Sequence, residues 1–113
     1  MRIRVITAAL AVLAGASLVA CDPAEPTGQG AAVMCEKFVK ERLKSPGTAD
    51  FSGVSDTQIK TISGSKPWRY LVTGYVDSQN GFGATVRNTY TCDVSTKDND
   101  TWSLTRDVDL KQR

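Results

Sequence analysis

Three rhythms of apolar and polar residues follow one another along this chain of 113 residues, and each predicts a different kind of segment. From Val5 to Ala20 the run is apolar apart from Thr7, Gly15 and Ser17, and Arg2 and Arg4 precede it. In AAVMCEKFVKERLK, residues 31 to 44, the period is helical: Ala31, Met34, Cys35, Phe38, Val39 and Leu43 share one face, and Glu36, Lys37, Lys40, Glu41 and Lys44 cover the rest. Ser45-Pro46-Gly47 stops that helix, because the residue before a proline is biased out of the α region. Beyond it the period is two. TQIKTIS (57 to 63) is the weakest strand; WRYLVTGYVD (68 to 77) sets Trp68, Tyr70, Val72 and Val76 against Arg69, Thr73 and Asp77. FGATVRNTYTCDV (82 to 94) puts Phe82, Ala84, Val86, Tyr90, Cys92 and Val94 on one face and Thr85, Arg87, Thr89, Thr91 and Asp93 on the other. TWSLTRDVDL (101 to 110) turns Trp102, Leu104, Val108 and Leu110 inward. Turns at SGSKP, SQNG and TKDND are short enough for antiparallel hairpins. The pattern predicts an α+β domain of two layers, with one N-terminal helix packed on a four-stranded antiparallel β-meander.

The apolar run has the layout of an export signal, and at 16 residues it falls short of the roughly 18 that a spanning helix usually needs. A retained anchor is the alternative. Its last residues, Leu18-Val19-Ala20-Cys21, resemble the lipobox of bacterial lipoproteins. That resemblance implies that residues 1–20 are a signal peptide and that Cys21 carries diacylglycerol and acyl chains, with no other cofactor. It implies attachment to the cell envelope, facing away from the cytoplasm. Two or more acyl chains hold a protein stably on a membrane, at about 0.8 kcal/mol per buried CH₂. DPAEPTGQG (22 to 30), with no apolar residue larger than alanine, reads with Cys21 as a lipidated tether, residues 21–30, leaving residues 31–113 as the folded domain.

Losing the signal changes the charge and the cysteine count. Without Arg2 and Arg4, 12 Lys+Arg face 12 Asp+Glu, so the apparent basicity disappears and nucleic-acid binding has no electrostatic support. Assigning Cys21 to lipid leaves Cys35 and Cys92, which both fall in the inward phase of their elements and are expected to bridge at the seam of helix and sheet; two free thiols are the alternative.

Little remains for catalysis. There is no histidine, hence no Ser/His or Cys/His pair and no commonest zinc ligand. Asp107 and Asp109 share one phase as paired acids could, but the regular alternation around them reads better as the charged outer face of an edge strand. Asp98-Asn99-Asp100 reads as a turn rather than a calcium loop, with no glutamate at the spacing of an EF-hand. No metal site and no enzyme are predicted. The candidate binding residues lie around the hairpin VDSQNGFG: Asp77, Gln79, Asn80 and Arg87. Asp77 and Arg87 share the outward phase on neighbouring strands and could form a charge pair. The same stretch also has a purely structural reading, in which Asn80-Gly81 supplies the positive φ of a tight turn and Gly83 permits a bulge.

FVKERLKSPGTADF (38 to 51) and YVDSQNGFGATVRNTYTC (75 to 92) together resemble a group of small exported or membrane-linked bacterial and phage proteins. The resemblance covers roughly residues 35–94 and implies a domain unit without an assigned activity. The expectation is a membrane-anchored envelope lipoprotein with a non-catalytic binding domain, whose partners are the membrane and an envelope or phage protein. Alternatives are a prophage lipoprotein that excludes superinfecting phage, and an inhibitor of an envelope hydrolase such as lysozyme or a protease.

Overall fold

The computed structural model describes residues 25–113, so residues 1–20, read above as a signal peptide, and Cys21 lie outside the described residues. One helix, α1 (Gly28–Lys40), packs on an antiparallel sheet of six strands: β1 (Asp50–Phe51), β2 (Gln58–Ser63), β3 (Trp68–Gln79), β4 (Thr85–Thr96), β5 (Trp102–Leu104) and β6 (Asp109–Gln112). The class is α+β, with two strands more than the pattern predicts.

The six strands occupy four rows. β3 and β4, 12 residues each, pair along their whole length from Trp68↔Thr96 to Gln79↔Thr85. β1 and β2 share the other edge of β3, at Val76–Asp77 and at Arg69–Thr73. β5 and β6 share the other edge of β4, at Val94–Thr96 and at Asn88–Thr91. The expected last strand is therefore broken in two at Thr105–Val108, where Asp107 leaves the ladder and accepts a hydrogen bond from Arg42 Nε (3.2 Å). The expectation of Asp107 beside Asp109 on one strand face fails for that reason.

Helix α1 begins three residues ahead of the periodic segment and ends four short of it. The start is fixed by Thr27, whose side-chain oxygen accepts from Gly30 N–H at 3.0 Å, an N-cap that outweighs two helix-weak glycines. At the other end Arg42 and Leu43 donate to the carbonyls three residues back, so the last turn tightens and stops before the Ser45-Pro46 breaker. Packing starts earlier still: Pro26 is buried and its carbonyl accepts from the Tyr70 hydroxyl at 3.1 Å.

The core lies between α1 and one face of the sheet. Ala31, Cys35 and Val39 meet Tyr70, Val72, Val76, Tyr90, Cys92 and Val94, all buried, and Cys35 is bonded to Cys92 with their Cα atoms 5.9 Å apart. Trp102, Leu104, Val108 and Leu110 pack against this core from both sides of the break, as the phase predicts. Among the described residues no helix covers the opposite face of the sheet, which is built from Arg69, Leu71, Thr73, Tyr75 and Asp77 on β3 against Ser95, Asp93, Thr91, Thr89 and Arg87 on β4.

Candidate functional site

The β3–β4 hairpin ends in a turn whose geometry follows from two residues. Asn80 N–H donates to Ala84 O (2.9 Å) and Gly83 N–H to Asn80 O (3.0 Å), while Asn80 Oδ1 accepts from Phe82 and Ala84 N–H (2.9 and 3.0 Å). Gly83 has φ +84°, so this is a three-residue loop closed by a left-handed glycine, in the manner of a bulge. The positive φ expected at Asn80-Gly81 is at Gly83 instead. Asn80, a candidate binding residue, has its carbonyl oxygen committed inside the turn.

Because the ladder stops at Gln79↔Thr85, Phe82 does not continue the inward phase of β4. It stands in the loop with 97% of its surface exposed, which corrects the expectation that it is core. The loop is braced from its base: Gln79 N–H donates to Thr48 Oγ1 (2.9 Å), and Thr48 Oγ1 in turn donates to Ser45 O (2.7 Å). β1 pairs Asp50–Phe51 with Val76–Asp77, and Ser52 N–H donates to Tyr75 O (2.8 Å). The two quoted stretches, LKSPGTADF and YVDSQN, are therefore neighbours in space, the first buttressing the second.

Below the tip, on the helix-free face, Asp77 and Arg87 stand opposite each other in the ladder. Arg87 Nε and Nη2 donate to Asp77 Oδ1 and Oδ2 at 2.7 and 2.8 Å, a two-pronged pair, and the guanidinium lies 3.8 Å above the ring of Tyr75. Tyr75 is half-covered by this stack. Further along the same face Asp93 takes the fork of Arg69 (2.8 and 2.7 Å), with Arg106 at 3.5 Å. The phase puts Asp93 on this face and suggests that it is solvated; it is only 2% exposed, because Arg69 and the Thr105 segment cover it. Between the pairs lies an open polar depression of about 200 Å³, lined by Asp56, Gln58, Thr73, Tyr75, Thr89 and Arg113.

Hydrogen bonds from Arg69 and Arg87 hold the carboxyls of Asp93 and Asp77 below the usual carboxylate range. A carboxyl with a depressed folded value stabilises fully above its unfolded value of about 4 and loses that contribution as pH falls through the folded value. Thermal stability is therefore expected to hold from neutral pH down to about 5 and to fall steeply below about 4. Asp93→Asn should shallow that fall; a variant with the wild-type acid profile would remove Asp93 from the explanation.

A second surface was not legible in the sequence. Val33, Val54 and Ile59, exposed by 56%, 79% and 36%, line a groove of about 180 Å³ between α1 and the segment joining β1 to β2. Glu36 is in its wall, its carboxyl pushed up by burial against the pull of Lys40. Val33 is apolar on the helix face assigned to solvent, the one sequence sign of this groove. Among the described residues no cluster of acidic, cysteine or histidine side chains could hold a metal ion, and Asp98 Oδ1 accepts from Asp100 and Thr101 N–H as an ordinary turn former. No helix among them is long and apolar enough to cross a membrane. What the surfaces offer is hydrogen bonding, cations stacked on aromatic rings and exposed apolar side chains. No family model matches the chain, and neither a curated protein nor a solved structure matches it.

Proposed function

We propose that this chain is a lipid-anchored envelope lipoprotein whose folded part is a non-catalytic binding module, presenting the β3–β4 hairpin to a protein partner. The observation that supports it is Phe82, 97% exposed at the end of a braced hairpin of two 12-residue strands. A single exposed apolar residue is ordinary on a protein surface. The turn spends Asn80 and Gly83 on its shape and Thr48 braces its base, so the backbone that carries Phe82 has little conformational freedom left to lose on binding. Asp77, Gln79 and Arg87 would form the polar rim beside this aromatic anchor, with Arg87 oriented by Asp77 and Tyr75. A pre-formed protruding tip is also what an inhibitor of an envelope hydrolase needs, and this favours that narrower reading as the second choice.

The test has two parts. Labelled fatty acid should enter the wild-type chain and not Cys21→Ser. A photo-crosslinking residue at position 81, exposed beside Phe82, should then trap a partner in native envelopes; Phe82→Ser should lower its recovery by about tenfold or more with the melting temperature unchanged, and Arg87→Ala by a similar factor with no more than the small stability loss of one exposed ion pair. Full recovery with both variants would return the hairpin to a structural role, and equal lipid labelling of wild type and Cys21→Ser would end the anchor reading.

A further inference from the structure

The end of the domain where the chain enters carries a different kind of exposed side chain from the tip. Pro26 is fixed beside Tyr70 by the 3.1 Å hydrogen bond from the phenol, and a Cβ on Gly28 would lie 2.9 Å from Ile59 Cγ2, so Ile59 sits against the first residue of α1. Ile62 falls at a register shift between Thr61, opposite Tyr70, and Ser63, opposite Arg69, and is 44% exposed. Val33 and Val54 extend the patch along the groove. All four belong to α1, β2 or the segment before β2, and β2 is an outer row of the sheet, with β3 as its one partner strand.

We infer that this patch, Val33, Val54, Ile59 and Ile62, rests on the lipid surface that holds Cys21, so that the anchor fixes the orientation of the domain as well as its place. The inference rests on the lipid-anchor reading of Cys21. Its argument is the length of chain between them: the five steps from Cys21 to Pro26 span at most about 17 Å when fully extended. An apolar patch bordering Pro26 is then held within reach of the interface at high effective concentration, where even a weak contact is populated. The hairpin tip is excluded from the same contact, because Gln79 lies nine residues along β3 from Tyr70, about 30 Å.

The experiment uses the full lipidated chain in vesicles of phosphatidylethanolamine and phosphatidylglycerol, with an environment-sensitive dye on Ile62→Cys or on Phe82→Cys and a quencher in the lipid headgroup region. Quenching of about twofold or more is expected at 62 and none at 82, since interfacial side chains sit at the headgroup–acyl boundary. Val33→Asp in the Ile62→Cys chain should cut the quenching while leaving the protein on the vesicles. A lipidated chain that stays on the vesicles with 62 unquenched would overturn the inference and leave the anchor intact. Cross-linking of 62 between two copies without lipid quenching would assign the face to a second copy and overturn it too. If fatty-acid labelling shows Cys21 unmodified, the anchor reading fails first and takes this inference with it.

Discussion

Replacing Cys92 with alanine is expected to cost the domain about 2–5 kcal/mol, the usual range for a native bridge in a small disulfide-bonded domain, and to lower its melting temperature by roughly 10 °C or more. The bond closes 57 residues of sequence, and in the chain-entropy model a loop of that length removes about 4 kcal/mol of disorder from the unfolded ensemble. Its position adds to the effect. Cys35 lies mid-way along α1 and Cys92 on a central strand, both fully buried, so the bridge crosses the seam that joins the two layers. A 13-residue helix containing two glycines has little stability of its own in water and depends on that docking. Denaturant unfolding followed by tryptophan fluorescence should give nearly the same loss for Cys35→Ala, Cys92→Ala and the double variant, because all three remove one bond. Additive losses, or an unchanged midpoint, would mean that side-chain packing holds α1 without the bridge.

That seam was the most legible part of the molecule. A helical period and a two-residue period each assign a face from local sequence, so Cys35 and Cys92 could be set against each other before any contact was known. The Asp77–Arg87 pair was legible for the same reason, being two outward positions either side of one turn. Strand ends were not. Phe82 keeps the phase of β4 in the sequence, but phase carries no mark of where the ladder stops, and Asn80 and Gly83 end it first. The break between β5 and β6 is hidden because Leu104 and Val108 face inward on both sides of it. A two-residue strand such as β1 has no period to detect. Asp93 shows the remaining gap: alternation says which face a residue occupies, and coverage by Arg69 from the neighbouring strand is a tertiary fact. Residues 22 to 30 read as a tether because none is apolar and larger than alanine, yet the Thr27 cap starts α1 inside that stretch.

Gly74→Val is the second substitution with a large expected effect, of about 3–5 kcal/mol, from overpacking together with the loss of a buried hydrogen bond. Gly74 interrupts the inward row Tyr70, Val72, Val76 of β3, and the ring of Tyr90 from the opposite strand fills the gap. A Cβ there would lie 2.8 Å from Tyr90 Oη and 2.6 Å from Ser52 Oγ, both closer than such contacts occur. Tyr90 cannot simply swing aside: it is the largest fully buried side chain, and the ring of Phe51 meets it edge-on at 5.9 Å. Ser52 is no freer, since its hydroxyl accepts from Tyr75 N–H (3.2 Å) and pairs with Thr57 Oγ1 (2.7 Å). The strain therefore passes from the core into β1 and the strut beneath the hairpin, so presentation of Phe82 should weaken along with stability. Gly81→Ala is the control, with nothing within 4 Å of the added carbon, and should change stability by no more than about 0.5 kcal/mol. Adding Tyr90→Phe to Gly74→Ala removes the nearest phenolic atom and should recover part of the loss of Gly74→Ala alone, a coupling that a double-mutant cycle reads directly. A Gly74→Val domain that melts at the wild-type temperature would show that Tyr90 and Ser52 can yield together, and the account of the sheet centre as a filled gap would fall.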